Sequence, residues 1–274
     1  MDYKVVAYEV AGRSAVITLD RPDRGNAWTG RVHAEYLHAV GRADADHNVR
    51  TIVVTGRGWA FCVGGDSDAL AGHAERGTYD DGLAGADGPT ARLPGAATDP
   101  QFDHQFAFHY GLSKPVIAAI NGPAAGIGLA LACFADLRFA VPGAKLTTAH
   151  GKLGLPPEYG LSWILPRHVG LTRAMDLLLT SRVFLTDEAH GIGLVNQLVA
   201  PDELMNTVLA YAEDLAAANA SSALTATRHM VYLDQNRGVG DSVTESLERM
   251  NLMMGSEEYR RGVEALRHKR PPAF

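Results

Sequence analysis

The chain has 274 residues, 46% of them hydrophobic and 20% charged, which suits one large globular domain, or a core with a smaller appendage, able to bury a sizeable core. Acidic residues outnumber basic ones by 31 to 25, a formal charge of -6, which argues against a nucleic-acid binder with its basic face. Two cysteines, Cys62 and Cys133, are too few for a disulfide framework, and each sits in an apolar run, as a buried small hydrophobe does. Met1-Asp2-Tyr3-Lys4 shows no basic start followed by a long apolar stretch, and no apolar run approaches the roughly 18 residues that span a bilayer. A cytoplasmic protein without membrane partners is expected.

In chain order, residues 5–10 and 14–19 read as two short strands joined at Gly12. Residues 20–26 are a polar turn cluster. A helix follows, with Thr29 as N-cap and Val32, Tyr36, Leu37 and Val40 at helical spacing. His33, Glu35 and His38 lie on that helix; they miss the metalloprotease spacing and are read as its solvated face. Residues 51–55 form a β-branched run suited to a buried strand. Residues 72–100 are rich in glycine and lack apolar periodicity, which predicts a mobile loop with irregular helix, either covering a pocket or standing as a solvated insertion. Residues 101–112 are predicted helical, 116–120 a strand, 121–123 a turn, 124–134 a helix of small residues, and 137–140 and 145–147 short strands. Helix is expected again at 171–180 and 187–190, a last strand at 195–199, and three or four helices from 202 to about 269. The alternation of strand and helix implies a parallel sheet with helices outside it, and a helical tail that begins near residue 196. In that tail Val243, Leu247, Met250 and Met254 form an apolar stripe that packs either on the chain's own core or on a partner subunit.

Several chemistries are excluded by spacing. No segment matches the phosphate-binding P-loop, and Gly126-Ile127-Gly128 lacks the third glycine of a dinucleotide fingerprint. Gly160-Leu161-Ser162-Trp163-Ile164 lacks the closing glycine of a nucleophile elbow. Two glycine-bearing junctions stand out: residues 60–68, where an apolar strand end meets Gly64-Gly65 and then Asp66, a candidate cap of the next helix, and residues 120–128, where a strand runs through small residues into a helix. Small residues let a ligand approach the backbone, and N–H groups at helix starts point outward. One such N–H from each of two loops can hold a developing oxyanion. A tight turn also needs glycine, so each junction alone admits the plainer reading.

These stretches together resemble the crotonase (enoyl-CoA hydratase/isomerase) superfamily. The likeness is carried by Arg21-Pro22-Asp23-Arg24-Gly25-Asn26-Ala27, residues 60–66, Lys114-Pro115-Val116-Ile117-Ala118-Ala119-Ile120-Asn121-Gly122, Ala132-Cys133-Phe134-Ala135-Asp136-Leu137-Arg138, Gly193-Leu194-Val195-Asn196, Gly262-Val263-Glu264-Ala265 and Lys269-Arg270-Pro271-Pro272, in register from about residue 5 to the end. It implies an α/β fold, the ClpP-like spiral of ββα turns, with an acyl-CoA-binding core over residues 1–195 and a C-terminal helical oligomerisation region over 196–274, assembled as trimers or pairs of trimers. It implies an acyl-CoA thioester as small-molecule substrate, no metal, and no cofactor beyond the coenzyme A that the substrate carries. By motif match, the two enolate-stabilising N–H groups belong to Gly65 and Ile127. Arg24 and Ala27 fall in the loop that lies along coenzyme A in the family, and Val63, Asp66 and Ser67 fall in the adjoining one; Trp28 stands where the family commonly has a smaller aliphatic residue, and either narrows the acyl pocket or serves as a packing residue.

The chain departs from the hydratase pattern at both of its glutamates. Counting along the resemblance from Ile127, the first glutamate position holds Ala130, which cannot transfer a proton, and the second holds His150. Two acid–base candidates follow. His150 serves either as acid or base, as an imidazole can, or else as a structural histidine bonded to a backbone carbonyl. Glu158, in Leu155-Pro156-Pro157-Glu158-Tyr159-Gly160, resembles the base of peroxisomal-type enoyl-CoA isomerases, or else caps the helix beginning near Gly160. Trp28-Thr29 with His33 and His150 is also similar to the 6-oxocamphor hydrolase branch, which cleaves a carbon–carbon bond in a diketone. Three functions follow: an enolate reaction on an acyl-CoA other than simple hydration, a carbon–carbon hydrolase with His150 activating water, and a non-catalytic acyl-CoA-binding subunit.

Overall fold

Residues 1–78 and 93–274 are described by the computed structural model of the protein. Strands β1 (Val6–Ala11) and β2 (Ser14–Leu19) form an antiparallel hairpin. Helix α1 (Gly30–Ala45) begins at Thr29, whose hydroxyl accepts the Val32 N–H at 3.2 Å. Strand β3 (Thr51–Gly56) then lies parallel to β2. Helix α2 (Ser67–Arg76) is capped by Asp66. Next come β4 (Val116–Ile120), β5 (Ala124–Ala125), α3 (Ile127–Cys133), β6 (Leu137–Ala140) and β7 (Lys145–Thr147). Helices α4 (Leu161–Val169) and α5 (Leu171–Thr180) are followed by β8 (Phe184–Leu185), α6 (Thr186–Gly191) and β9 (Gln197–Leu198). The tail is α7 (Leu204–Ala218), α8 (Ser221–Asp234), α9 (Val239–Met254) and α10 (Glu257–Arg267).

The larger sheet has the order β1-β2-β3-β4-β6-β9, parallel throughout except for the β1–β2 hairpin; β5, β7 and β8 make a second, three-stranded sheet. Every residue of β3 and β4 is buried, as expected where helices cover both faces of a parallel sheet. Alternate residues feed two apolar layers: Ile52, Val54, Ala118 and Ile120 pack with α1 and α3, while Val53, Ile117 and Ala119 pack with Leu204, Val208 and Ala212 of α7. Thus β9 and α7, both in the tail by sequence, complete the sheet and cover one of its faces. Among the described residues, no helix is long and apolar enough to cross a membrane.

Four local expectations are corrected. The glycine-rich stretch 72–100 opens as regular helix, because α2 continues to Arg76; its part at 79–92 lies outside the described residues. Residues 101–112 form no α-helix but two 3₁₀ turns, Pro100–Phe102 and Ala107–Gly111, since Phe106 between them takes φ +60. The helix expected over 124–134 starts only at Ile127, because Ala124 and Ala125 pair with Leu146 and Thr147. On α1, His33 and Glu35 are not solvated: they are 3% and 2% exposed. The Glu35 carboxylate accepts the N–H groups of Lys4, Val5 and Val6 at 2.9, 2.8 and 3.1 Å and that start of β1 buries it, while Arg31 pairs with it.

Helix α8 is tied to the core by one buried cation. Arg228, 7% exposed, pairs with Asp136 at 2.8 Å and donates to the carbonyls of Leu112 and His109 at 2.5 and 2.9 Å. Tyr232 donates to the other Asp136 oxygen at 2.6 Å. Removing one member of a buried ion pair strands its partner, so Arg228→Met should lower stability by about 3–5 kcal/mol. Urea unfolding measures this, and a loss below about 1 kcal/mol, the scale of an exposed pair, would show that water replaces the guanidinium there.

Candidate active site

Two strand-to-helix junctions are locked side by side. Cys62 and Ala124 form an isolated parallel bridge, with the Ala125 N–H donating to the Cys62 carbonyl at 3.0 Å and the Cys62 N–H donating to the Pro123 carbonyl at 3.2 Å. The approach is possible only without side chains: a Cβ on Gly122 would lie 2.1 Å from the Trp59 oxygen, and one on Gly128 would lie 2.1 Å from the Cys62 oxygen. A second bridge joins Trp28 to Gly65, through Trp28 N–H to Gly64 carbonyl at 2.7 Å and Asp66 N–H to Trp28 carbonyl at 3.0 Å. That pairing uses the amides on either side of Gly65 and passes over the Gly65 N–H. Ile127 is the first residue of α3, where an N–H has no partner within the helix. Among the described residues, neither N–H has a protein acceptor. Two backbone donors from adjoining loops are therefore left over for a ligand oxygen, the arrangement that stabilises a developing oxyanion.

The acid–base candidates come from the segment after β7. Ala130, one turn into α3, is fully buried and offers only a methyl group. His150 opens a 3₁₀ turn and is 4% exposed, yet its Nδ1 has no hydrogen-bond partner among the described residues. No ring bond from His150 to a backbone carbonyl is present among those residues, so the reading as a carbonyl-bonded structural histidine does not hold. Glu158 is half-buried; burial pushes its carboxyl above the usual range, and the nearby His150 imidazole opposes that rise in part. Nor is Glu158 the side-chain cap of α4, which has Gly160 as its N-cap and no side-chain capping bond; Glu158 contributes its backbone carbonyl, to the Leu161 N–H at 3.0 Å. Ala149, just before His150, and Tyr159, just after Glu158, take φ +60 and +51. Such backbone costs roughly 1–3 kcal/mol per non-glycine residue and persists where the surroundings over-determine it.

The remaining sequence candidates flank these junctions. Asp66, 3% exposed, accepts from Arg21 at 2.9 Å and Arg24 at 3.0 Å while capping α2, so it staples the loop at 21–26 to the junction that carries Gly65. Burial alone would raise its carboxyl, but the Arg21 bond, the Asp68 N–H and the two guanidinium charges outweigh burial and hold it below the usual range. Arg24 is exposed and also meets Asp68 at 2.9 Å and the Ser67 hydroxyl at 3.4 Å. Val63 is half-buried, its N–H on the Gly25 carbonyl at 3.1 Å, and Ala27 is 5% exposed. Trp28, 6% exposed, stands edge-on to His33, Tyr36 and Phe106 at centroid distances of 6.0, 5.6 and 5.5 Å.

Sequence reasoning missed what positions this cluster. Phe106, at φ +60, is edge-on to Tyr159 at 5.4 Å and so connects Trp28 to the Glu158 segment. His109 Nδ1 donates to the Phe106 carbonyl at 2.6 Å, and the Tyr36 hydroxyl donates to His109 Nε2 at 2.7 Å. Burial lowers the His109 pKa to about 4, which keeps the ring neutral with one nitrogen free to accept. Arg21 was missed as well, because its pairing with the buried Asp66 spans 45 residues of chain.

Comparison with known proteins identifies the family and the fold. The profile of the family described as Enoyl-CoA hydratase/isomerase matches residues 10–274. The chain is 31% identical over 258 residues to the 1,2-epoxyphenylacetyl-CoA isomerase of Escherichia coli, covering 94% of this chain and 93% of that one. The structure superposes on the enoyl-CoA hydratase subunit I of Geobacillus kaustophilus with a TM-score of 0.84 at 29% identity, covering 100% of this chain and 99% of the other. On the enoyl-CoA hydratase of Bacillus anthracis the TM-score is 0.85 at 24% identity, with 99% of each chain covered, a likeness of fold alone.

Proposed function

The chain belongs to the enoyl-CoA hydratase/isomerase family, and from that premise we propose that it catalyses an enolate reaction on an acyl-CoA thioester, with double-bond migration favoured over hydration. The observation that carries this reading is the pair of backbone donors left over at Gly65 and Ile127, together with a buried His150 whose Nδ1 has no partner among the described residues and a half-buried Glu158 eight residues further on. In this reading the thioester oxygen lies on the two N–H groups, and the loops bearing Arg24, Ala27, Trp28, Val63, Asp66 and Ser67 border the coenzyme A portion. A base removes a proton from the carbon chain, the electron pair passes to the thioester oxygen as an enolate, and the proton returns to a different carbon as the double bond moves. Nothing is added or lost overall. His150 and Glu158 are the groups able to take and return that proton.

Hydration needs a second group to hold and activate water, and Ala130 supplies none. Crotonyl-CoA hydration, followed as loss of the conjugated absorbance, should therefore be slow beside isomerisation in a panel of 2-enoyl- and 3-enoyl-CoA compounds. Hydration as fast as isomerisation would overturn the reading. A second reading, hydrolytic cleavage of a carbon–carbon bond, is favoured by one observation, the contact of Trp28 with the buried His33. Turnover of a 1,3-diketone with no turnover of any enoyl-CoA in the panel would select it.

For the tail we infer a subunit contact through α9. Val243, Leu247, Met250 and Met254 are 52%, 51%, 44% and 43% exposed in the single chain, an apolar stripe at helical spacing that meets no core. Light scattering at micromolar concentration should give a trimer or hexamer; a strict monomer would show that the stripe has another role.

A further inference from the structure

We propose that the acyl group handled by this site carries a ring, seated in an aromatic cavity beyond the catalytic residues. This rests on the acyl-CoA reading above and names its substrate class. The cavity measures about 480 Å³, within the ordinary range for small-molecule sites, and five aromatic side chains line it: Phe102, Tyr110, Phe134, Tyr159 and Trp163. Two chain connections bring it near the candidate centre. Phe134 ends the helix that Ile127 begins, and seven helical residues at 1.5 Å each put it about 10 Å from the Ile127 donor. Tyr159 is the chain neighbour of Glu158, and its ring touches Phe106.

The wall is built to meet ring faces and edges at once. Tyr110 is edge-on to Phe102 (6.1 Å, 80°) and tilted against Phe134 (5.3 Å, 38°) and Trp163 (6.3 Å, 46°). An inserted ring gains edge-to-face contacts from several of these, whereas a straight chain gains only buried area. The wall is also fixed in advance: Tyr110 stacks on Tyr232 at 3.7 Å, and the Arg167 guanidinium lies 3.9 Å over the Trp163 ring. Fixed contacts spare a ligand the cost of ordering them. At the outer rim Asn236 donates to Gln101 at 3.1 Å, and His104 is exposed, so the far end of the ring can carry a polar substituent.

The test is calorimetric titration with two saturated acyl groups of equal carbon count, 4-phenylbutanoyl and decanoyl, each as its CoA thioester and as its N-acetylcysteamine thioester, which has no nucleotide. The phenyl compound should bind at least about tenfold more tightly than the decanoyl one in both series. Ala107→Trp, which places a side chain in the cavity, should reduce that ratio toward one. Should this variant fail to fold by circular dichroism, Trp163→Leu reads the same ratio from the opposite wall. Phenyl preference confined to the N-acetylcysteamine series would support the cavity and overturn the coenzyme A reading. Equal binding of the two acyl groups, no binding of either, or a preference that survives whichever variants fold would overturn the proposal.

Discussion

Turnover on the enzyme's own substrate is expected to fall by roughly 10²–10⁴ when His150 becomes alanine, the usual cost of losing a general acid or base. The expectation rests on position and environment together. His150 is 4% exposed and has a ring nitrogen with no protein partner among the described residues, and the proposed reaction needs a group there to move a proton. Glu158 gives a second, separable signature. Burial raises the Glu158 carboxyl, so a Glu158 base becomes active only as pH rises past a midpoint above the ordinary glutamate value of about 4.3. In kcat/KM against pH this limb should be present in the wild type and absent in Glu158→Gln. Substrate binding and oligomeric state should survive His150→Ala. If both variants keep near-wild-type turnover, the proton is moved by another group.

Gly128→Ala should be as damaging without removing any functional side chain. The added Cβ would lie 2.1 Å from the Cys62 oxygen and 2.9 Å from the Cys62 carbonyl carbon, and backbone cannot yield as a flexible side chain does. The start of α3 must move away from the 60–66 junction, and the Ile127 N–H moves with it. Losing one oxyanion donor costs roughly 10²–10³ in rate. The control is Gly191→Ala at the end of α6, where a Cβ meets nothing within 4 Å. That change should leave rate and stability within about 1 kcal/mol of the wild type. A Gly128→Ala enzyme that retains full rate would show that the two junctions need not be in register for catalysis.

Much of the fold was legible because it rests on short-range signals. Strands β2, β6 and β7 and helix α5 fall at the residues expected, and the caps Thr29 and Asp66 both act as caps. The two glycine junctions were legible for the same reason, since close backbone approach leaves a mark on composition. What escaped depends on partners far along the chain. Glu35 looks like a surface residue on an amphipathic helix, and only the amides of Lys4, Val5 and Val6 leading into β1, 29 to 31 residues away, make it a buried acceptor. Residues 101–112 carry an apolar pattern that suits a helix, but His109 and Tyr36 hold the backbone at Phe106 in a left-handed conformation. Strand β5 is two alanines, which no propensity would assign to a sheet without β7 beside them.

The Arg228 anchor sets a timetable for the chain as it leaves the ribosome. Its three attachment points, Asp136, Leu112 and His109, precede it by 92, 116 and 119 residues. At about 5–20 residues per second, Asp136 waits roughly 5–20 s for its guanidinium to be synthesised. Through that interval the sheet strands exist but the Asp136 carboxylate is without its cation. The 107–112 turn, which follows Phe106, is without its clamp. The lining of the candidate site is therefore secured only after residue 228 has been made.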